Sequence, residues 1–469
     1  MTPSSSDILQ VKYLQSEELD GPPRTFTGVS IDSRNVLAGS VFFAIRGERL
    51  DGHNFLSNAV KAGAKAVVVE SKWATMNPSF LKALPVAKLV VEDSVRALGE
   101  LARNYRRLFR IPVLAVGGSN GKTTTKEMIK AVLEAKFNVL ATEGNLNNHI
   151  GVPLTLFRLE NRHKIAVVEI GTNHPGEIKY LCSVLEPTHG LITNIGREHL
   201  EFFRSLHGVA KAELELFEWL KTHRRNDGVF FLNKDDAALS KSHIPRQTVT
   251  FGFSRKEVDV RGANLEVNEN AAARFTIQTR KRSSIDIMLP VPGVHNARNA
   301  LAAAAVGISF NVPATKIQHA LSSFSAASKR METFRVNGIT ILNDTYNSNP
   351  DSVRAALETL QAVKTPGKKI AVLADMLELG ETSEREHRAI AAMLKPAGIE
   401  YLLTYGPLSK ITHEASTVEF KAHYEQKNIL SEYLAELLTV GDTVLIKGSR
   451  GMKMEDVVTF LKERFSKAA

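Results

Sequence analysis

Gly117-Gly118-Ser119-Asn120-Gly121 runs directly into Lys122-Thr123-Thr124-Thr125. Small residues leave backbone N–H groups open to a ligand, an ammonium follows at once, and hydroxyls follow the ammonium. That set suits a nucleoside triphosphate. The amides and the positive helix end face the phosphates, Lys122 reaches the outermost ones, and the Thr123 hydroxyl ligates magnesium. The candidate nucleotide contacts are therefore Gly118, Ser119, Asn120, Gly121, Lys122, Thr123 and Thr124. The spacing departs from the usual rule for such loops, which asks for a glycine five places before the Gly-Lys pair; Val116 stands there. A glycine turn before a solvated surface lysine is the plainer reading, and three threonines after Gly-Lys argue against it. Glu169 closes the apolar run KIAVVEIG beside a glycine, where a carboxylate can hold magnesium directly or through water, or simply turn to solvent. Asp32-Ser33-Arg34 and RGERLDGHNF put further polar groups at strand ends, the usual place for ligand sites on α/β sheets.

The elements that position these groups can be read from periodicity. IPVLAVGG is a buried strand ahead of the loop, and from Lys122 the pattern turns helical, with Met128, Ile129, Val132 and Leu133 on one side. KIAVVEIG and GLITNIG are further strands, and residues 225–290 read as strands and turns. VPGVHNARNALAAAAVG is a glycine turn and an alanine-rich helix. The segment TEGNLNNHIGVPLTL carries Asn145, Asn147 and Asn148, amides that would be costly to bury unpaired. Beyond residue 326, ITILNDT, KKIAVLADM, YLLTYG and DTVLIKGS alternate with helical segments, as a parallel sheet requires. Asp344, Asp375 and Lys447 fall at or near the ends of those strands. The expected class is α/β in three domains: 1–107, 108–325 with the nucleotide loop on a parallel sheet, and 326–469.

Length allows two to four domains. The formal charge of +10 suits anionic ligands and also nucleic acid. No dense basic run interleaved with aromatics supports the second; the tightest cluster, TRKRSS (Thr279–Ser284), reads as a solvated hairpin tip. Arg103, Arg106, Arg107 and Arg110 of SVRALGELARNYRRLF read as the wet face of an amphipathic helix. The single cysteine, Cys182, excludes a disulfide framework and a cysteine-based zinc site, and it sits in an apolar helical run that favours a packed thiol. MTPSSSDILQ lacks the features of a signal peptide and no apolar run is long enough for a bilayer, so a cytoplasmic protein is expected, without stable membrane association.

Taken together, the chain resembles the Mur ligases of bacterial cell-wall synthesis over nearly its whole length. GGSNGKTTT, TEGNLNNHIGVPLTL, VVEIGTNHPGEI, NIGREHLE and PGVHNARNALAAAA match the family's successive signatures. GNLNNHIGVPLTL, EIGTNHPGEI, NDTYNSNPDS, LADMLELGE and KGSRGMKME point to the members that join D-Ala-D-Ala to UDP-MurNAc-tripeptide. The resemblance implies a monomer using ATP and Mg2+, with no nucleic-acid partner, and a Rossmann-like third domain. It also implies roles. Lys122 binds the outer phosphates, and Thr123 and Glu169 hold one magnesium, while His199 holds a second. Asn296 and Asn299 meet the adenine, Arg330 reaches the phosphates, and Asp344 lies near the nucleotide. Tyr346, Asn347 and Asn349 lie toward the dipeptide; Ser33, Arg34, Arg46, Asp51, Gly52 and His53 meet the UDP end.

One position departs from the family. Mur ligases usually carry a carbamylated lysine on the helix after the EHLE segment, bridging to metal; the matching residue in HGVAKAELELF is Glu213. Lys211 is two residues away, about 200° round the helix, and should point elsewhere. Glu213 already bears a carboxylate, but its reach is shorter by roughly 3 Å. It is expected to replace the carbamate through a bridging water, as a metal ligand independent of carbon dioxide. Ala374, where the family more often has glycine, is expected to alter packing alone. Two alternatives stand beside this reading: another carboxylate–amine ligase such as a folylpolyglutamate synthase, and a nucleotide switch or nucleic-acid motor built on the same loop.

Overall fold

Short β-branched runs such as AVVVE and TVLIK are apolar on both faces, a pattern that only a sheet covered on both sides can bury. The computed structural model describes residues 15–17, 26–242, 247–268, 270–280, 284–325 and 329–466. MTPSSSDILQ and residues 281–283 of the expected basic hairpin tip lie outside the described residues. The chain divides into two compact units, each mixed α/β. The first comprises the described parts of Met1–Ala115, with Phe137–Gly171 and Glu177–Thr188. The second comprises Val116–Lys136, Thr172–Gly176 and the described parts of His189–Ala469.

In the first unit a five-stranded sheet has the order Gln15–Glu17, Ala87–Val91, Ala66–Glu70, Val41–Phe43, Val29–Ser30. All neighbours are parallel except the first pair. Alternation sorts the strand residues onto two faces: Val41, Phe43 and Val68 pack with Leu98 and Leu101, while Phe42, Ala44, Val67 and Val69 pack with Leu56 and Leu81. The helix Ser94–Arg107 starts at Asp93, whose carboxylate accepts from Val95 and Arg96 N–H at 2.8 and 2.9 Å. Arg107 and Arg110 are exposed as a wet face requires, but Arg106 corrects the expectation. Arg106 is buried, and its guanidinium donates to the carbonyls of Phe109, Leu185 and Glu186, capping the C-terminus of the helix Glu177–Leu185. The parallel strands Val139–Ala141 and Ile165–Glu169 also belong to this unit.

The second unit holds the strands His189–Ile192, Val229–Asn233, Thr248–Gly252 and Val260–Val267 in parallel succession. Ala272–Thr279 and Ser284–Pro292 continue them as an antiparallel meander, so this sheet is mixed rather than wholly parallel. Its later part is a six-stranded sheet ordered Glu332–Val336, Ile339–Asp344, Thr443–Lys447, Lys369–Ala374, Tyr401–Tyr405, Phe420–Tyr424. The four strands read from the sequence are all present and parallel; Glu332–Val336 adds an antiparallel edge and Phe420–Tyr424 a fifth parallel strand. Among the described residues no helix is long and apolar enough to cross a membrane.

Candidate functional site

The nucleotide-loop residues lie in the second unit. The buried strand Val113–Gly117 is followed by Gly118, at φ +113°, and Gly121 at φ +79° caps the helix Lys122–Glu134. Both must be glycine on steric grounds as well. A Cβ on Gly118 would lie 2.7 Å from the Thr193 backbone nitrogen, and one on Gly121 would lie 2.7 Å from Asn299 Oδ1. The loop is knitted to the segment after the strand His189–Ile192. Ser119 N–H donates to Asn194 O, Asn120 N–H to Asn194 Oδ1, and the Thr193 hydroxyl to Asn120 O. Gly196 N–H in turn donates to Ser119 Oγ.

Lys122 is folded back onto its own loop. Nζ donates to Gly118 O at 2.5 Å and Ser119 O at 3.3 Å, and lies 3.4 Å from Glu198 Oε2. Glu213, wholly buried, meets the loop without an intermediary: its Oε2 accepts from Gly118 N–H at 2.7 Å. The helix Leu206–Glu213 runs close enough to the loop to deliver this contact. Lys211 is exposed, as the helical angle required. Burial pushes the Glu213 carboxyl well above the usual carboxylate range. The Lys122 ammonium and the Gly118 N–H pull it down, while the Glu198 carboxyl beside it pushes it further up. Glu213 Oε1, Glu198 Oε1 and Thr123 Oγ1 are buried with no hydrogen-bond partner among the described residues.

Other predicted residues surround this core. His199, at φ +47°, has Nδ1 2.6 Å from Glu378 Oε2, and that pairing holds the Glu378 carboxyl below its ordinary range. Arg197, two residues earlier, clamps Asp351 through its backbone N–H and Nη2 and reaches Glu386 through Nη1. Asn296 and Asn299 are buried on the helix Val294–Ser309, with Asn299 Nδ2 donating to Asn296 Oδ1. Asn349 caps the helix Pro350–Ala362 with its Oδ1 and donates from Nδ2 to Asn120 Oδ1 at 2.9 Å. At the ends of two paired strands, Lys447 Nζ meets Asp344 Oδ2 at 2.6 Å and Asn347 O at 2.8 Å. Arg330 stacks on the Tyr346 ring at 3.7 Å, and Arg450 approaches the same ring at 5.0 Å.

In the first unit, Glu169 is buried; Oε1 accepts from Asn147 Nδ2 at 2.9 Å and Oε2 has no partner among the described residues. Ser33 sits in a turn where Arg34 is drawn onto Asp32 at 2.7 Å, which holds the Asp32 carboxyl down at about 2. Arg46 and His53 converge on Asp51. His53 Nε2 accepts from Glu70 N–H, so Nδ1 carries the proton toward Asp51 and both ring nitrogens are engaged. Gly52 is required because a Cβ there would meet the Ile45 backbone at 2.6 Å.

Sequence reasoning missed Asn194, Arg197, Glu198 and Asp351. For Glu198 the only local signal was its place in REHLE behind a strand end. Among the described residues no group of three or more His, Cys, Asp or Glu side chains is placed to hold a metal. The unpartnered donors near Lys122 are oxygens, two carboxylates and one hydroxyl. They fit magnesium, which uses one or two carboxylates together with substrate phosphates and water.

A buried strand of a mixed sheet feeding a glycine loop, with an ammonium and buried oxygens around it, defines a nucleotide-dependent enzyme of the loop-and-helix class. Comparison with known proteins makes the class specific. The Mur ligase family catalytic domain matches residues 25–106, the Mur ligase middle domain residues 116–307, and the Mur ligase glutamate ligase domain residues 329–450. The UDP-N-acetylmuramoyl-tripeptide–D-alanyl-D-alanine ligase of Bacillus subtilis (strain 168) is 36% identical over 93% of both chains. A MurF crystal structure from Acinetobacter baumannii superposes with TM-score 0.86 at 29% identity, covering 98% of each chain. The MurF ligase of Thermotoga maritima, solved in complex with ADP, gives 0.80 at 27% identity over 94% of this chain and 98% of its own. The chain belongs to the Mur ligase family.

Proposed function

We propose that this chain joins D-Ala-D-Ala to the terminal carboxylate of UDP-MurNAc-tripeptide, using ATP, as a cytoplasmic monomer of the peptidoglycan precursor route. The observation that carries the reading is the Gly118–Thr124 loop with Lys122 and three unpartnered oxygens beside it, in a chain whose relatives bear that activity in their names. A carboxylate is a poor electrophile. Its oxygen attacks the terminal phosphorus of ATP, the bond to ADP breaks, and an acyl phosphate results. The dipeptide amine then attacks the carbonyl carbon, loses a proton, and expels phosphate. Negative charge builds on the transferring group, so fixed cations carry most of the rate.

In this reading residues 1–107 take the UDP end, 108–325 the nucleotide and 326–469 the dipeptide. Lys122 leaves its loop carbonyls for the outer phosphates, and the loop N–H groups bind the inner ones. Arg330 supplies a second cation, Asn296 and Asn299 lie toward the adenine, and Asp344 lies near the nucleotide. Tyr346, Asn347 and Asn349 lie toward the dipeptide, with Ser33, Arg34, Arg46, Asp51, Gly52 and His53 toward the uridine diphosphate. Thr123, Glu169, His199 and Glu213 are the proposed magnesium ligands, and bound magnesium would neutralise charge on the phosphates. Glu213 stands in for the family's carbamylated lysine. Membership of the Mur family sets aside the switch and motor readings.

A phosphate-release assay tests the activity. Phosphate should accumulate only with ATP, UDP-MurNAc-tripeptide and D-Ala-D-Ala together; release driven by polynucleotide would overturn the reading. Turnover in decarbonated buffer should not rise on adding bicarbonate, and a rise would remove Glu213 from the carbamate's role.

A further inference from the structure

Two buried carboxyl groups, Glu198 and Glu213, touch each other beneath the nucleotide loop. Two ionised carboxylates side by side would repel, and taking them out of water costs more, so without a cation the pair is driven toward its protonated form. Among the described residues the compensation shown is partial. Lys122 Nζ stands 3.4 Å from one of the four oxygens, and Gly118 N–H satisfies another. Glu198 Oε1 and Glu213 Oε1 are left without a hydrogen-bond partner among the described residues, and so is the neighbouring Thr123 Oγ1. Each belongs to a residue at least nine-tenths buried. Buried oxygens without donors are costly unless something positive joins them.

We propose that Glu198 is a direct ligand of a divalent cation, sharing it with Glu213 and Thr123, and that Lys122 holds the cation's place while the loop is empty. The inference deepens the ligase reading and rests on it for the arrival of a polyphosphate. Lys122 cannot serve both positions. Its ammonium is part-buried and lies against Gly118 O and Ser119 O, on the loop that would hold the phosphates. When phosphates draw it away, the carboxylate pair loses that counter-charge. A small, hard divalent cation is then the matching replacement, because it accepts two carboxylates and a hydroxyl and fills its remaining positions with water and phosphate oxygen. Cation and nucleotide binding are therefore coupled through one lysine, and Glu198 joins the four residues assigned to magnesium above.

The test is direct cation binding. Free Mn2+ is followed by electron paramagnetic resonance during titration of the full-length protein with saturating ADP. Wild type is compared with Glu198→Gln, Glu213→Gln and Glu198→Asp, and ADP affinity is measured separately in EDTA. Loss of a ligand should weaken Mn2+ binding by about 10–100-fold in each Gln variant, with a smaller loss for Glu198→Asp. ADP affinity in EDTA should not fall. Wild-type Mn2+ affinity in folded Glu198→Gln overturns the proposal, as does unchanged affinity in Glu198→Asp should the Gln variant fail to fold. Loss of ADP affinity in EDTA with Mn2+ affinity intact would make Glu198 a structural counter-ion and also overturn it. If wild type ligates D-Ala-D-Ala and these variants bind Mn2+ normally, only this inference fails; if wild type binds neither ADP nor Mn2+, the ligase reading fails with it.

Discussion

Two lysine–carboxylate pairs lie in the second unit, one at strand ends and one at the start of a helix, and they are built differently. Lys447 is almost fully buried, lies 2.6 Å from Asp344, and donates to Asn347 O as well; the other Asp344 oxygen accepts from Met331 N–H. Both Asp344 oxygens are engaged, and the ammonium has two acceptors. Lys122 lies 3.4 Å from Glu198, holds two loop carbonyls, and leaves carboxylate oxygens over. A saturated pair has nothing to gain from a ligand and acts as a pin. An unsaturated one is complete only when something else arrives.

Substituting each lysine separates the two roles. Lys122→Ala should remain folded and lose at least about 10²–10³-fold in turnover. Near-normal phosphate release by a folded variant would place the chemistry elsewhere. Lys447→Met should act on stability first, since it leaves Asp344 without its counter-charge at a largely buried position. A loss of about 3 kcal/mol in urea unfolding is expected, and a variant as stable as wild type would mean the pair is no pin.

Acid should strain the pinned region next. Burial holds His295, beside Asp344 and Lys447, down at about 4, and does the same to His189. Both folded-state values lie below the ordinary 6.5. The unfolded chain therefore takes up protons first as pH falls, so stability is full above about pH 6.5 and drains away toward pH 4. Each histidine should cost about 2 kcal/mol at pH 5 relative to pH 7. Equal urea midpoints at the two pH values would contradict this. The smallest effect concerns Asn349, which caps a helix with one end of its amide and reaches Asn120 of the loop with the other. Asn349→Ala should cost about 1 kcal/mol of stability, and a loss of loop order would appear as weaker ADP binding.

What the sequence made legible was local. The strand–loop–helix switch at Val116–Lys122, the parallel strands of the last sheet, and the opposite facing of Lys211 and Glu213 follow from spacing within one element. The unread features depend on partners far along the chain. Arg106 has the same side chain as its exposed neighbour Arg107, and only the end of another helix makes it a buried cap. Asn349 and Asn120 are 229 residues apart. His199 was expected on a metal, and its pairing with Glu378 joins two segments that no periodicity connects. Glu198 lay unread inside a recognised motif, because its meaning comes from Lys122 and Glu213 rather than from its neighbours in sequence.

The most direct measurement is a crystal structure of the full chain with magnesium and a non-hydrolysable ATP analogue. The predicted result is a triphosphate along the N–H groups of Gly118–Thr124, with Lys122 Nζ drawn off Gly118 O and Glu198 onto the outer phosphates. A triphosphate bound elsewhere, with Lys122 still folded onto its own loop, would contradict it.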